Sequence, residues 1–183
     1  MVKPTAVSKW EFEGFIPDKW SDVFLLPYIC TRSTKLQAFQ YQIIHRYIPT
    51  RKFLFVRRIT DDPNCNRCNH VDTLAHHFFS CPTVADFWDI VMGYINTYYT
   101  EFINPSANDI LFGITNVSPV INLLIILAKH YIHACANRKI PLVFNSYLAY
   151  VTDVYRTERR AAAGCLELFP IFIDKWSLFP ISH

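Results

Sequence analysis

The chain has 183 residues, of which 51% are hydrophobic and 18% are charged. This composition excludes an intrinsically disordered chain, because enough apolar side chains are present to bury a core. Only 4 glycines stand against 11 prolines, which argues against tight-turn β architectures and glycine-rich phosphate loops and favours helices bounded by proline. The net charge of +3 by itself excludes no class of partner.

The first part of the chain shows little periodicity. Residues 1–19 are predicted to form an extended or irregular lead-in, with three aromatic side chains as anchors: Trp10, Phe12 and Phe15. A short helix is predicted over residues 20–26, and Pro27 should stop it because proline lacks a backbone N–H.

The clearest amphipathic pattern follows. Ser33 or Thr34 is placed as an N-cap, and Pro49 should end this helix. Residues that recur at helical spacing form its predicted buried face: Leu36, Phe39, Gln40, Ile43, Ile44 and Tyr47. Thr50 is then placed to cap a second short helix over residues 51–58.

A cluster of metal-ligand residue types comes next. Cys65 and Cys68 are separated by two residues, Cys68 and His76 by seven, and His76 and Cys81 by four. Zinc prefers four nitrogen or sulfur ligands at tetrahedral corners, and a Cys-x-x-Cys turn supplies two thiolates from one loop. The alternative is a metal-free turn with coincidental cysteines. The pattern predicts one structural Zn²⁺, since four protein ligands leave no open position for catalysis.

The choice of histidine is less constrained by spacing. His77 is also separated from Cys81 by a short interval, and His70 lies close behind Cys68. If Leu74 and the phenylalanines after His77 pack inward, His76 and His77 face different directions, so only one of them should bind. We favour His76.

Helical patterns continue after the cluster. Pro82 is placed as the first residue of a helix, whose predicted buried face is Val84, Phe87, Trp88, Val91, Tyr94, Ile95 and Tyr98. Residues 110–112 are predicted to form a short strand or a helical turn. Ser118 and Pro119 should open a largely buried helix that runs to about Ala136.

Two further segments complete the chain. Pro141 is predicted to start another helix, which a charged stretch over residues 156–160 continues. Pro170 should break or kink it, leaving a short terminal segment over residues 171–179. The predicted fold is therefore mostly α, a helical domain with an inserted Cys-Cys-His-Cys zinc knuckle and a helical C-terminal half.

Three regions are predicted within this fold. Residues 1–19 form the lead-in, residues 20–100 hold the basic helices with the knuckle, and residues 101–183 form a helical region that packs on them. The last two regions can equally form one continuous domain.

Charge is unevenly distributed. Residues 23–60 contain seven Lys or Arg and no Asp or Glu, a local bias of the kind that phosphate backbones attract. The alternative is a solvated face that acidic residues from elsewhere in the chain balance in space.

The compartment is predicted to be intracellular, in the nucleus or the cytoplasm. The first 14 residues lack the apolar region of a secretory signal, and the longest apolar run is too short to span a membrane. Cys30, Cys135 and Cys165 lie in apolar surroundings and are predicted to be buried free thiols, which suits a reducing environment.

The order of these motifs resembles one family. Trp20, the run Phe24-Leu25-Leu26-Pro27, the amphipathic helix ending in Tyr47-Ile48-Pro49-Thr50, the knuckle with Asp72-Thr73-Leu74-Ala75-His76, and Phe87-Trp88 are similar to the zinc-binding region that follows the reverse transcriptase domain in non-LTR (LINE-type) retrotransposon polyproteins. Residues 121–132 also resemble the tail of such polyproteins. The family's ligand pattern is Cys-Cys-His-Cys, in which the matching histidine is His76, and Asp72 stands where Glu is commoner.

The resemblance implies nucleic-acid handling without catalysis. The paired aspartates of a polymerase and an endonuclease domain are not found, so we expect a fragment, a truncated element copy or a host-adopted remnant that is not an enzyme. The partner is expected to be RNA, target DNA or both, and the predicted phosphate contacts are Arg46, Arg51, Lys52, Arg57 and Arg58, with Arg32, Lys35 and Arg67. Tyr41, Tyr47 or Phe55 could stack on unpaired bases if exposed, although core packing is the commoner use of each.

The competing hypothesis is a structural or protein-interaction module. It would buttress a reverse transcriptase domain or another protein partner and would bind no nucleic acid of its own.

Overall fold

Helices form every regular element of the described residues. The computed structural model describes residues 4–98 and 102–177; residues 178 and 179 of the predicted terminal segment lie outside them. The helices are α1 (Thr5–Phe12), α2 (Trp20–Cys30), α3 (Thr34–Ile44), α4 (Arg51–Val56), α5 (Pro82–Tyr98), α6 (Ala107–Phe112), α7 (Pro119–Arg138), α8 (Phe144–Ala163) and α9 (Leu168–Trp176), with a π-helical turn at His76–Ser80. The predicted mostly α class is confirmed.

The core is built around α7. Twelve of its 20 residues are buried, and it packs against α2, α3, α5, α8, α9 and the π-helical turn. By length and composition α7 could also cross a membrane, but 67% of its apolar window is buried inside the protein. Its first residues follow the prediction, with Ser118 as N-cap and Pro119 as the first helical residue. Nearly all-round burial explains its apolar composition.

The lead-in prediction is wrong for residues 5–12, which form α1. Trp10 explains why, because its indole is fully buried and Nε1 donates a 2.8 Å hydrogen bond to the Ile44 carbonyl near the end of α3. Phe15 packs edge-on against Trp10. Phe12, the third predicted anchor, is 92% exposed.

Three predicted boundaries in the basic region also differ, and the helix predicted over residues 51–58 ends at Val56. α2 continues through Pro27 to Cys30. Pro27 and Cys30 are both buried, and this packing offsets the helical hydrogen bond that proline cannot make. α3 ends at Ile44, well before Pro49, because Arg46 adopts a left-handed conformation with φ of 62°. Tyr47 therefore leaves the apolar face and is 59% exposed. The remaining predicted residues of that face are buried: Leu36, Phe39, Gln40, Ile43 and Ile44.

In the second half, residues 110–112 belong to α6 and form no strand. Ser106 and Asp109 form a reciprocal capping box at its start, a local signal that fixes a helix. α8 begins at Phe144, three residues after Pro141. Pro170 lies inside the first turn of α9, where its missing N–H breaks no helical hydrogen bond.

Buried side chains from Trp10 to Trp176 form one continuous cluster. Glu158 on α8 joins distant parts of it, because its carboxylate accepts hydrogen bonds from Thr31 Oγ1, Lys175 Nζ and Trp176 Nε1. The core crosses both predicted region boundaries, and the three-region division stays a prediction.

Lys129 is a charged residue type enclosed by this core. It has no exposed surface, and its Nζ donates to Gln40 Oε1 at 2.6 Å and to the Leu111 carbonyl at 3.1 Å. Burial lowers the pKa of Lys129 to about 7, against a smaller opposing effect of Cys30. The ammonium is therefore half deprotonated near neutral pH, which lowers the cost of its burial.

We expect Lys129 to make folding stability rise with pH. The folded-state pKa lies below the unfolded value, so the unfolded chain binds more protons between about pH 7 and pH 10, and alkali favours the folded state. For a folded pKa near 7, this contribution is about 2 kcal/mol between pH 7 and pH 9.

Urea unfolding of wild type and Lys129→Met at these two pH values measures the effect. Both chains share every other titrating group, so the difference between their slopes isolates Lys129. The Cys30 thiol, whose pKa burial raises to about 12, acts mainly above this range. If the free energy of unfolding changes equally with pH in the two chains, the lowered pKa of Lys129 is contradicted.

Candidate metal centre

The first two cysteines lie in a tight loop. The Cys65 N–H donates to the His70 carbonyl at 2.7 Å, and the Asn69 N–H donates to the Cys65 carbonyl at 2.9 Å. Asn69 has φ of 64°, a left-handed conformation that asparagine tolerates better than most residues. The Arg67 N–H points at Cys65 Sγ at 3.4 Å. This loop turns both sulfur atoms to the same side.

The other two candidate ligands flank the π-helical turn. The Cys81 N–H donates to the His76 carbonyl at 3.1 Å, five residues back, which widens the turn beyond that of an α-helix. His76 and Cys81 thereby approach the same side of the chain. Trp88 of α5 anchors the turn, since its Nε1 donates to the Phe78 carbonyl at 2.7 Å.

The four candidate ligand atoms converge. The three sulfur atoms and one imidazole nitrogen lie within 4.8 Å of one another, with Cys68 Sγ 3.2 Å from His76 Nε2 and 3.7 Å from Cys81 Sγ. A tetrahedron with Zn–S of about 2.3 Å and Zn–N of about 2.0 Å has edges of roughly 3.5 to 3.8 Å. The donor set and its spacing therefore fit zinc.

The environment of the donors is largely buried. Burial raises the pKa of the Cys81 thiol to about 12 in the metal-free chain. Burial acts in the same sense on Cys68, but hydrogen bonds from His70 and the neighbouring cysteines outweigh it and lower the pKa of that thiol. Burial also lowers the pKa of His76, which keeps the imidazole neutral, as a metal ligand must be.

His77 is directed away from the cluster. Its Nδ1 lies 3.0 Å from Asp72 Oδ1, and its Nε2 lies 3.1 Å from His133 Nδ1 on α7. A carboxylate only accepts, so Nδ1 of His77 carries the proton and Nε2 accepts from His133. Asn137 ends this series of hydrogen bonds, with its Nδ2 3.1 Å from His133 Nε2. Burial lowers the pKa of His133 to about 4, with His77 adding to the effect, so the His133 imidazole is uncharged at neutral pH.

Asp72 extends the network to α4. Its Oδ2 accepts from the Arg51 N–H at 2.9 Å, and its carbonyl accepts from the Lys52 N–H at 3.3 Å. Thr50, the predicted cap, accepts from the Phe53 N–H. Burial opposes ionisation of Asp72, but the bonds from His77 and Arg51 outweigh it and hold its pKa below the ordinary value. Asp72 thus satisfies the first two N–H groups of α4, and the cap Thr50 satisfies the third.

Three of the eight predicted basic contacts are engaged with the protein itself. Arg46 forms a bidentate pair with Glu13 and lies 4.4 Å over the Trp10 ring. Arg51 Nη2 lies 3.2 Å from Asp62. Arg67 Nη2 donates to the Ile132 carbonyl at 2.7 Å. The alternative, in which acidic residues from elsewhere neutralise the basic segment, is therefore correct for Arg46 and Arg51.

The other five are exposed: Arg32, Lys35, Lys52, Arg57 and Arg58. Within residues 4–98 and 102–177 none of them forms an ion pair, and Arg57 lies 3.5 Å over the Phe53 ring. Lys35 is in the first turn of α3, and α4 follows the far end of that helix, which is roughly 16 Å long. Arg32 and Lys35 therefore lie at the opposite end of α3 from the end that leads into α4.

The family comparison agrees with this site. Residues 18–88 match the family described as zinc-binding in reverse transcriptase. The predicted resemblance is confirmed over this zinc-binding segment, which contains α2 to α4, the knuckle and the first turns of α5. The matched family is a zinc-binding domain and not a catalytic one. No curated protein and no solved structure gives a significant match.

Sequence reasoning missed the network around the zinc-binding segment. His133 and Asn137 lie more than 50 residues beyond Asp72 and His77, and only folding brings them together. Their spacing of four on a helix was the available signal, since it places both on one face. Lys129, in the same helix, was visible only as the end of an apolar run.

We expect zinc to bind at one ion per chain and to depend on Cys81. Cys81→Ser should abolish stoichiometric zinc, because a hydroxyl is a poor substitute for a thiolate. Zinc binding stabilises the folded chain. If Cys81→Ser removes about 3 kcal/mol of this stabilisation, the unfolding midpoint should fall by roughly 10 °C. Elemental analysis and thermal unfolding measure the two effects.

Cys135→Ser is the matched control, since that thiol is equally buried but lies outside the cluster. It should retain one zinc per chain. His76→Ala and His77→Ala separate the two histidines, and only the first should lose the metal. Equal zinc content in all four variants would refute the ligand set.

Proposed function

We propose that the chain is a nucleic-acid-binding module whose single zinc ion is structural and whose binding surface is α4 with the residues that follow it. The parent context would be a LINE-type reverse transcriptase, although this chain has no catalytic role. Three thiolates and one imidazole fill a tetrahedral site, which leaves no position for a reactive water.

The observation that carries the proposal is the exposure of α4. None of its residues is buried, and three cations project from this region without an acidic partner among the described residues: Lys52, Arg57 and Arg58. A short helix with no core-facing residue contributes little to the fold, whereas a concentration of unpaired cations attracts phosphates.

Exposed aromatic rings near the end of α3 support binding of unpaired bases. Tyr41 is 48% exposed and its ring centroid lies 4.0 Å from that of His45. The Tyr47 ring is nearly parallel to that of His45, with centroids 6.2 Å apart. Tyr41, Tyr47 and Phe55 are all exposed rather than packed in the core. Stacking on such rings tolerates any base sequence.

The titratable groups near the knuckle do not suggest a reaction. Both ring nitrogens of His77 are occupied by Asp72 and His133, so this buried pair offers no base to a substrate. We therefore propose a non-enzymatic role.

We also propose an intracellular site of action, in the nucleus or the cytoplasm. No disulfide joins any of the six cysteines, and four-ligand thiolate sites persist where thiols stay reduced.

Replacing Lys52, Arg57 and Arg58 together by Gln should weaken RNA binding and flatten its salt dependence. Each phosphate contact removed lowers the slope of log affinity against log salt by about one unit. Fluorescence anisotropy with a labelled single-stranded RNA and with a DNA duplex at several salt concentrations measures both quantities and the preference between the ligands.

The control is the triple replacement of Arg156, Arg159 and Arg160 by Gln. These residues are exposed on α8, so the net charge changes equally at a different place. Equal losses in the two triple variants would indicate non-specific attraction and contradict a binding surface on α4.

A second candidate function, a module that buttresses another protein, is favoured by apolar exposure on α2. Leu25, Tyr28 and Ile29 are each more than half exposed, more than a monomer usually leaves uncovered on one short helix. If this candidate is correct, the isolated chain should self-associate and bind no RNA. Light scattering on the sample used for anisotropy measures this, and a monomer that binds RNA contradicts it.

A further inference from the structure

A cleft with a basic lining lies beside the metal centre. Its volume is about 410 Å³, and it is bounded by the start of α4, the knuckle loop and the end of α7. Three cations from these three elements line it: Arg51, Arg67 and Lys139. Lys139 lies outside residues 18–88, so the family match does not include this combination.

Two buried donors at this cleft have no acceptor. Arg51 Nε and Arg67 Nη1 form no hydrogen bond within the described residues, and a buried donor left without an acceptor is destabilising. One other nitrogen of each guanidinium is engaged: Arg51 Nη2 donates to Asp62, and Arg67 Nη2 donates to the Ile132 carbonyl. A small rotation of each guanidinium toward the cleft would let an oxyanion accept from it.

The acidic group in the lining does not cancel this charge. Asp72 is the only carboxylate among the residues that line the cleft, and both its oxygens accept hydrogen bonds, from His77 and from the Arg51 N–H. Cys65 also lines the cleft, but its sulfur belongs to the four-ligand cluster. A metal-filled cluster with three thiolates would carry one negative charge, and Asp62, outside the lining, pairs with Arg51 at 3.2 Å. Arg67 and Lys139 are therefore the lining cations that no ion pair engages among the described residues.

We propose that this cleft binds a phosphoryl group of a nucleic-acid strand. The inference rests on the proposed function and adds to it one specific phosphate position, held by Arg51, Arg67 and Lys139. Guanidinium groups bind phosphate oxygens through paired N–H donors, and lysine adds a point charge. The group is either the terminal phosphate of a strand or an internal phosphodiester, and both share this chemistry.

Lys139→Gln tests the cleft in the zinc-loaded full chain. Lys139 is exposed and its side chain forms no ion pair in the described part of the chain, so the fold should survive the change. Arg138→Gln is the control, because Arg138 is its exposed neighbour outside the cleft lining. The probes are one single-stranded RNA carrying either a 5′-phosphate or a 5′-hydroxyl, measured by anisotropy.

Lys139→Gln should weaken binding about tenfold, as expected for one charge-assisted contact, while Arg138→Gln changes it less than twofold. A loss confined to the 5′-phosphorylated strand identifies a terminal phosphate. An equal loss with both strands identifies an internal phosphodiester. Identical behaviour of the two variants would overturn the proposal and leave the α4 surface intact as the proposed function.

A titration with inorganic phosphate separates the two hypotheses further. In amide NMR spectra of the wild type, phosphate should shift Asn66, Arg67 and Lys139, and Lys139→Gln should remove the shifts. If phosphate causes the shifts but no RNA binds, the cleft binds phosphate and the proposed nucleic-acid function is wrong. If phosphate causes no shifts and no RNA binds, both proposals are wrong.

Discussion

The carboxylate of Asp72 joins three elements of the fold through one buried group. One oxygen accepts from His77 of the π-helical turn, the other accepts from the first N–H of α4, and the histidine continues to His133 of α7. A buried charge is costly unless hydrogen bonds compensate it. These bonds form only when the three elements take their observed relative positions, so the network specifies an arrangement as well as stabilising it.

The metal centre and this network constrain different parts of the same region. The four ligand atoms fix the loop at Cys65 and Cys68 against the π-helical turn and the start of α5. Asp72 and His77 connect the knuckle with its neighbours, since Asp72 bonds to α4 and His77 bonds to α7. The adjacent residues His76 and His77 thus serve separate roles because they face opposite sides of one turn.

Local signals in the sequence predicted much of this. The convergence of the four candidate ligands, the cap positions of Thr50 and Ser118 and most of the buried faces of α3, α5 and α7 depend on residues close in the chain. Tyr98, predicted on the buried face of α5, is 39% exposed. Predictions failed where distant contacts decide the outcome. α1 forms because Trp10 has a carbonyl of α3 to bond, and Tyr47 is exposed because Arg46 turns the chain after Ile44. The His77–His133 contact and the enclosure of Lys129 join residues 56 and 89 positions from their partners, which no local pattern encodes.

The position of α4 connects the metal centre with the proposed binding surface. A helix of six residues is not stable by itself in water, and no residue of α4 is buried, so burial of its own side chains cannot fix it. Its first N–H groups are instead held by Asp72 and Thr50, and Arg51 reaches Asp62 ahead of the knuckle. Since Asp72 is itself positioned by the turn that carries His76, the geometry of the metal ligands determines where α4 begins. The cations of α4 are therefore presented by a scaffold to which the zinc ligands belong, although no cation contacts the cluster through its charged group.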